Sequence, residues 1–320
     1  MPRVSVVIPT YNRARFVREA IESVLRQTYR DFELIVVDDG STDNTKEMID
    51  SIKDPRIRYI YQKNRGVSGA FNTGILASTA EYVALLASDN IMLEEALQKY
   101  IAFLDQHPEV GFCHGQFSTM DGSGRPLRLK TLRGPKVTYI GDSRTEVVNL
   151  LLGDRNSDYC FVRRSCFEQV GLHNTELRMS EDWDMLIRLS KKYAVGHLAE
   201  PTGIIRNHDQ SMTAKFNVEI VKSAHTAVLE SVFKDAELGP LYSYLHEKAY
   251  YGLYCLLARV AARTGQKGTG MMYLLKAIKT SPGMPFERRG LFLLMKTGKS
   301  FLPRRLGKLI ARSLITFKLR

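Results

Sequence analysis

Short β-branched runs alternate with amphipathic stretches along the first part of the chain. Runs at Val4–Ile8, Glu33–Val37, Ile57–Tyr61, Tyr82–Leu86 and Val110–Cys113 have the length and composition of strands. Between them, Ala14–Gln27 carries Phe16, Ala20, Ile21, Val24 and Leu25 at helical spacing. Thr45–Ile52, Gly69–Ala77 and Leu93–His107 are further predicted helices, the last ended by Pro108. Such alternation predicts right-handed βαβ units and a Rossmann-like α/β fold, with a mostly parallel sheet covered by helices on both faces. Binding groups in such a sheet gather at the carboxyl ends of its strands.

The pattern then breaks. Gly115 to Gly141 contains Gly122, Gly124, Pro126, Gly134 and Pro135 and is expected to be an irregular excursion. Order resumes with a helix near Arg144–Leu152, a strand at Tyr159–Val162, a helix at Asp182–Lys192 and a strand-like piece at Gly203–Arg206. A boundary is expected near residue 215, giving an α/β domain over 1–215 and a helical, basic region over 216–320. In the latter, Leu241–Ala262 and Met271–Thr280 resemble one helical hairpin of tetratricopeptide type. Arg304–Leu319 reads as a cationic amphipathic helix with Leu306, Leu309, Ile310, Leu314 and Phe317 on one face.

Charge sharpens that division. The chain of 320 residues carries a formal net charge of +12. Residues 221–320 hold 18 basic against 5 acidic residues, so the excess belongs to the last third. This fits either the anionic cytoplasmic face of a membrane or a solvated helix face packed on the rest of the chain. Nucleic-acid motifs are lacking, and nucleic acid is not an expected partner. No apolar run approaches the ~20 residues of a membrane span. Four cysteines without paired metal-type spacing point to a reducing, cytoplasmic setting, and Met1-Pro2-Arg3 leads directly into a strand without a signal-peptide pattern.

The candidate chemistry sits where the strands end. The second strand closes on Asp38 and Asp39, where a dinucleotide fold would carry a glycine-rich phosphate loop. An isolated acid, Asp89, follows the fourth strand, and Glu181–Asp182 opens a helix. The stretches VSVVIPTYNR, AIESVLRQTY, ELIVVDDGSTD, NRGVSGAFNTGI, EYVALLASDN, SEDWDMLIRL and RNHDQSMT occur in that order over roughly residues 4–213. This ordered set resembles the family 2 glycosyltransferases, inverting enzymes of the GT-A fold that use nucleotide-diphosphate sugars.

The resemblance implies a role for each motif. Pro9, Thr10, Tyr11 and Asp39 would bind the nucleotide. A tyrosine ring offers a face to a pyrimidine, and an acceptor-only carboxylate suits the ring N–H of uracil or thymine. Asp38 reads equally well as structural. Asn64 to Asn72 is a glycine-containing loop feeding a helix amino terminus, and Asn64, Asn72 and Ser88 join the nucleotide-binding set. Asp89 matches the last acid of the family's Asp-any-Asp motif, whose first acid is replaced here by Ala87. It would hold Mg²⁺ or Mn²⁺ on the donor diphosphate, with His208 as a second ligand. A helix cap before Ile91–Leu104 is the competing reading of Asp89. Asp182 would be the catalytic base, with Glu181 orienting a neighbour or touching the acceptor. Trp183 fits a core anchor or a sugar platform, and Asp184 and Arg188 are spaced to pair with each other.

The expected activity is therefore metal-assisted transfer of a sugar, with inversion, from a UDP- or dTDP-type donor to a hydroxyl. The acceptor would be a glycan or a lipid-linked compound in cell-envelope polysaccharide or glycolipid synthesis. The protein would be cytoplasmic, or peripheral on the inner face of the plasma membrane. Two rivals remain open at this point. One is a nucleotidyltransferase, although Pro9-Thr10-Tyr11-Asn12 is not a glycine-rich basic loop. The other is a catalytically weakened sugar-nucleotide-binding or scaffold protein, with Ala87 as the first sign of decay.

Overall fold

In the computed structural model, the described residues are 1–127, 134–153, 160–298 and 301. The strands are β1 (Val4–Thr10), β2 (Phe32–Asp38), β3 (Ile57–Tyr61), β4 (Tyr82–Leu85), β5 (Ile91–Met92), β6 (Val110–Asp121), β7 (Tyr139–Gly141), β8 (Cys160–Arg163) and β9 (Ala194–Asn207). The helices among and after them are α1 (Ala14–Leu25), α2 (Thr45–Asp50), α3 (Gly66–Ala77), α4 (Ala96–Gln106), α5 (Ser143–Leu151), α6 (Arg164–Val170), α7 (Glu181–Lys192), α8 (Met212–Lys215), α9 (Val218–Phe233), α10 (Leu238–Tyr242), α11 (His246–Arg263), α12 (Lys267–Thr280) and α13 (Arg288–Gly298).

β1 is buried along its whole length and β2 along nearly all of it, as continuous apolar strands are when helices cover both faces. On one face α1 seats Val17, Ala20, Ile21 and Val24 against Val4, Val6, Ile8, Leu34 and Val36. On the other, Ile35 and Val37 pack with Ala70 of α3. α3 lies so close to β1 that a Cβ on Gly74 would stand 2.2 Å from Val7 Cγ1. Only glycine fits that crossing.

The nine strands form one sheet in the order β3-β2-β1-β4-β8-β6-β9-β5, with β7 pairing β9 off this path. β3, β2, β1 and β4 are mutually parallel. β8 is antiparallel to both β4 and β6, and β6 and β9 are again parallel. The carboxyl ends of β1, β2, β3, β4, β6 and β9 therefore share one edge, and the amino end of β8 joins them. Most of the ladder is parallel, and the sheet is of GT-A type.

Two expectations fail in this sheet for one reason. The excursion expected from Gly115 begins instead as regular strand, because β6 runs on to Asp121. The strand expected only at Gly203–Arg206 begins at Ala194. Gly115 is required by close approach, since a Cβ there would stand 2.4 Å from Thr202 Cγ2. Pro201 is tolerated because it faces Gln116 where the register shifts, as a bulge allows. Glycine and proline here mark contact and irregular pairing. Gln116 Nε2 also donates to the Pro135 carbonyl.

The chain divides into two compact units, Met1–Val147 with Arg155–Ser211 and Val148–Asp154 with Met212–Arg320. In the second, α9 is capped by Asn217, whose side chain accepts from Ile220 N at 2.9 Å. α11 and α12 form a helical hairpin turned at Gly265, which has a φ of 82°. Tyr251 and Cys255 of α11 pack with Ala277 of α12 and Met284, and the Tyr251 hydroxyl donates to the Gly290 carbonyl at 3.1 Å. The amphipathic helix expected at Arg304–Leu319 lies outside the described residues, as do parts of the 115–141 and 156–164 stretches.

Candidate functional site

The edge formed by the strand ends carries nearly all the residues singled out from the sequence. At the end of β1, Pro9 and Thr10 are buried while Tyr11 is 47% exposed. Asn12 follows with a φ of 50°. Its Oδ1 accepts from Thr42 N at 2.7 Å and its own N–H donates to Ser41 Oγ at 2.9 Å, which staples the β1 and β2 loops together. The Thr10 hydroxyl is buried and has no hydrogen-bond partner.

The adjacent acids at the end of β2 have different partners. Asp38 accepts from Ser41 N at 2.8 Å and from the Tyr59 hydroxyl at 2.8 Å, so it shapes the turn and anchors β3. Burial, reinforced by the Asp38 carboxylate, pushes the Tyr59 phenol well up. Asp39 receives the Thr10 carbonyl on its N–H at 2.8 Å. Its Oδ1 accepts from Gln62 Nε2 at 2.6 Å and from Arg65 N at 2.8 Å.

The next loop differs in part from expectation. Asn64 Oδ1 accepts from Gly66 N at 3.3 Å, which closes the turn into α3. Asn72 is not turned to a ligand. Its Nδ2 donates to the His173 carbonyl and its Oδ1 accepts from His173 N, each at 2.8 Å. Both amide atoms help to tie α3 to the segment before α7. The His173 imidazole is buried, which lowers it to about 4 and keeps it neutral.

Beyond β4, Ser88 is buried and Asp89 is partly exposed. Asp89 caps no helix, because Ile91–Met92 is a short strand and α4 begins only at Ala96. Asp89 Oδ2 instead lies 3.0 Å from His208 Nε2, across 119 residues of sequence. Their side chains are 19% and 6% exposed. The His208 ring stands against Phe16 with centroids 4.5 Å apart, and its Nδ1 is buried without a partner.

Arg206 holds this corner together, and the sequence reading passed over it. Its Nε donates to the Asp89 carbonyl at 3.1 Å, its Nη2 to Glu19 Oε2 at 2.6 Å, and its N–H to Asn90 Oδ1 at 3.0 Å. The guanidinium lies 5.2 Å from the Phe16 centroid. Its place two residues before His208, next to the end of β9, was the available signal.

At α7 the adjacent acids again diverge. Ser180 precedes the helix with a φ of 63°. Glu181 is buried, and burial together with the Asp182 charge holds its carboxyl well above the usual carboxylate range. Asp182 is exposed and accepts from Trp183 N at 2.7 Å. Trp183 is a core residue. Asp184 pairs with Arg188 at 2.7 Å, and Arg188 also donates to the carbonyls of Val170 and Leu172. Burial first, then the charges of Cys166 and Asp182, push the Cys160 thiol up to about 12.

Among the described residues no three His, Cys, Asp or Glu side chains converge on one metal position. One carboxylate and one imidazole do converge, and the imidazole has a buried nitrogen left unpaired. This donor set fits a hard divalent cation whose remaining ligands are phosphate oxygens and water.

An open, mostly parallel α/β sheet with carboxylates at its strand ends, in place of a glycine-rich phosphate loop, is the arrangement of a glycosyltransferase of GT-A fold. The Glycosyl transferase family 2 profile matches residues 5–171, and the chain belongs to that family. An uncharacterized glycosyltransferase of a Nostoc species is 37% identical over 139 residues, 42% of this chain and 43% of that protein. Glycosyltransferase GlyG of Streptococcus pneumoniae is 41% identical over 98 residues, 30% of this chain and 33% of that one. The matches to these two relatives thus span less than half of either. Among solved structures, Staphylococcus aureus TarS 1–349 in complex with UDP is 18% identical with a TM-score of 0.56, over 98% of this chain and 87% of that one. Mannosyltransferase PcManGT of Pyrobaculum calidifontis, with GDP-Man and Mn²⁺, is 18% identical with a TM-score of 0.58, over 99% and 86%. These two likenesses are of fold.

Proposed function

We propose that this glycosyltransferase moves a sugar from a UDP- or dTDP-type donor to an acceptor hydroxyl by single displacement with inversion. The observation that carries the reading is the Asp89–His208 pair, set on the same sheet edge as Asp39. The ligands of the structural neighbours, UDP in one and GDP-Man with Mn²⁺ in the other, support a nucleotide-sugar donor and a divalent cation.

In this mechanism the Asp39 carboxylate and the exposed Tyr11 ring orient the base. Asp89 and His208 would hold Mg²⁺ or Mn²⁺. A bound cation would neutralise charge building on the leaving diphosphate. Asp182, facing solvent at the amino end of α7, takes the proton of the acceptor hydroxyl as that oxygen bonds to the anomeric carbon. The bond from that carbon to the diphosphate breaks in the same step, and the nucleoside diphosphate leaves. Glu181, buried and kept protonated near neutrality, is left out of proton abstraction and supports Asp182 from beneath.

The same proposal places the second unit on an anionic membrane surface, where a lipid-linked or glycan acceptor of envelope synthesis would be met. α12 exposes Met271, Met272, Leu275 and Ile278 and also carries Lys267, Lys276 and Lys279.

Titration calorimetry with UDP and dTDP, with Mn²⁺ or Mg²⁺ and then EDTA, tests the donor site. Binding is expected to fall at least tenfold on chelation and in Asp89→Ala. Equal binding in all three conditions would remove the metal from the mechanism.

A further inference from the structure

Asp39 is held in a way that limits which base it can receive, and this argument rests on the proposed donor reading. A carboxylate oxygen has two lone-pair sites. Both sites of Asp39 Oδ1 are taken, by Gln62 Nε2 at 2.6 Å and Arg65 N at 2.8 Å. No described hydrogen bond uses Oδ2. The Gln62 amide is itself fixed, since its Oε1 accepts from the Thr73 hydroxyl at 2.6 Å. The opposite amide orientation would set Oε1 against the Asp39 carboxylate, so the donor faces Asp39. Thr73, Gln62 and Asp39 form a relay that leaves one acceptor open, Asp39 Oδ2, beside one further donor, the second N–H of Gln62 Nε2.

From this we infer that Gln62 is a positioning residue that selects a base with a single ring N–H, uracil or thymine, against guanine. Uracil and thymine offer one N–H between two carbonyl acceptors. Their N–H meets Oδ2, and a neighbouring carbonyl meets the donor side of the relay. Guanine offers two adjacent donors, its ring N–H and its amino group, and a carboxylate satisfies both only with two free oxygens. Here one of those donors would face the second N–H of Gln62 Nε2 and stay unpaired, which is costly in a partly desolvated site. Sites built around a hydrogen bond discriminate strongly when it cannot form.

The test is calorimetry of the full chain with UDP, dTDP and GDP, repeated on Gln62→Leu and Thr73→Val, with thermal melts of each variant. The wild-type protein is expected to bind UDP or dTDP at least about thirtyfold more tightly than GDP. That ratio should fall about tenfold in Gln62→Leu and about threefold in Thr73→Val, which keeps the question open to test if the first variant folds poorly. A merely structural Gln62 would weaken all nucleotides alike and leave the ratio unmoved, which overturns the inference. Equal binding of UDP and GDP by the wild-type protein also overturns it, while leaving sugar transfer intact. Binding of no nucleotide removes the donor reading itself, and the inference with it.

Discussion

Two pairs of neighbouring acids, Asp38–Asp39 and Glu181–Asp182, divide their work in opposite ways. At the end of β2 both carboxylates are buried, and what separates them is hydrogen bonding. Asp38 is satisfied by Ser41 and Tyr59, whereas Asp39 keeps one oxygen open. At the start of α7 what separates them is water. Glu181 is buried beneath its neighbour, and Asp182 faces solvent. In both pairs one acid sets the conditions for the other. Adjacency in sequence makes a pair, and the local partners decide which member is available for chemistry.

Asp182→Asn breaks the second pair most severely. Turnover is expected to fall about a thousandfold while UDP affinity stays within about twofold, as steady-state kinetics and calorimetry would show. A loss of affinity equal to the loss of rate would place Asp182 in donor binding instead. For the first pair, Asp38→Ala leaves the Tyr59 hydroxyl and Ser41 N–H without their acceptor. Urea unfolding should register a loss of about 2–3 kcal/mol, whereas Asp39→Ala should cost less stability and more nucleotide affinity.

The smallest effect belongs to Glu181 and is read in pH. Its folded carboxyl lies above its unfolded value, so the folded state binds the extra proton. The stability this contributes is fully present below the ordinary carboxylate range and is lost as pH rises toward neutrality and through the folded value. The slope is at most about 1.4 kcal/mol per pH unit. Glu181→Gln, which cannot ionise, should flatten that part of the pH–stability curve. An unchanged curve would mean the carboxyl is ionised in the folded state.

Much of the fold is legible in the chain, because β1 to β4 and the helices between them follow one rule, apolar runs alternating with amphipathic ones. β6 and β9 escape that rule. Gly115 reads as the start of an excursion and the strand is expected only from Gly203, yet β6 passes Gly115 where it packs on Thr202, and β9 passes Pro201 where the register shifts. In the candidate site, what the chain shows locally is the position of an acid at a strand end, as at Asp39. The site was not legible where the decisive fact is a partner far away in sequence. Asn72 looked like a ligand and is tied to His173, Asp89 could have been a cap and faces His208, and Arg206 carried no signal beyond its place two residues before His208. Pairings across a hundred residues leave no local periodicity to read.

The position of Arg206 also bears on the order in which the protein can be assembled. The pocket around Asp39 draws its hydrogen-bond partners from residues within the first quarter of the chain. Asp89, by contrast, lacks both its imidazole neighbour and the guanidinium that grips its backbone until residues 206–208 arrive and β9 docks. A chain emerging from the ribosome could thus shape the corner around Asp39 long before the one around Asp89. Docking of β9 would then be the step that brings Asp89 and His208 together.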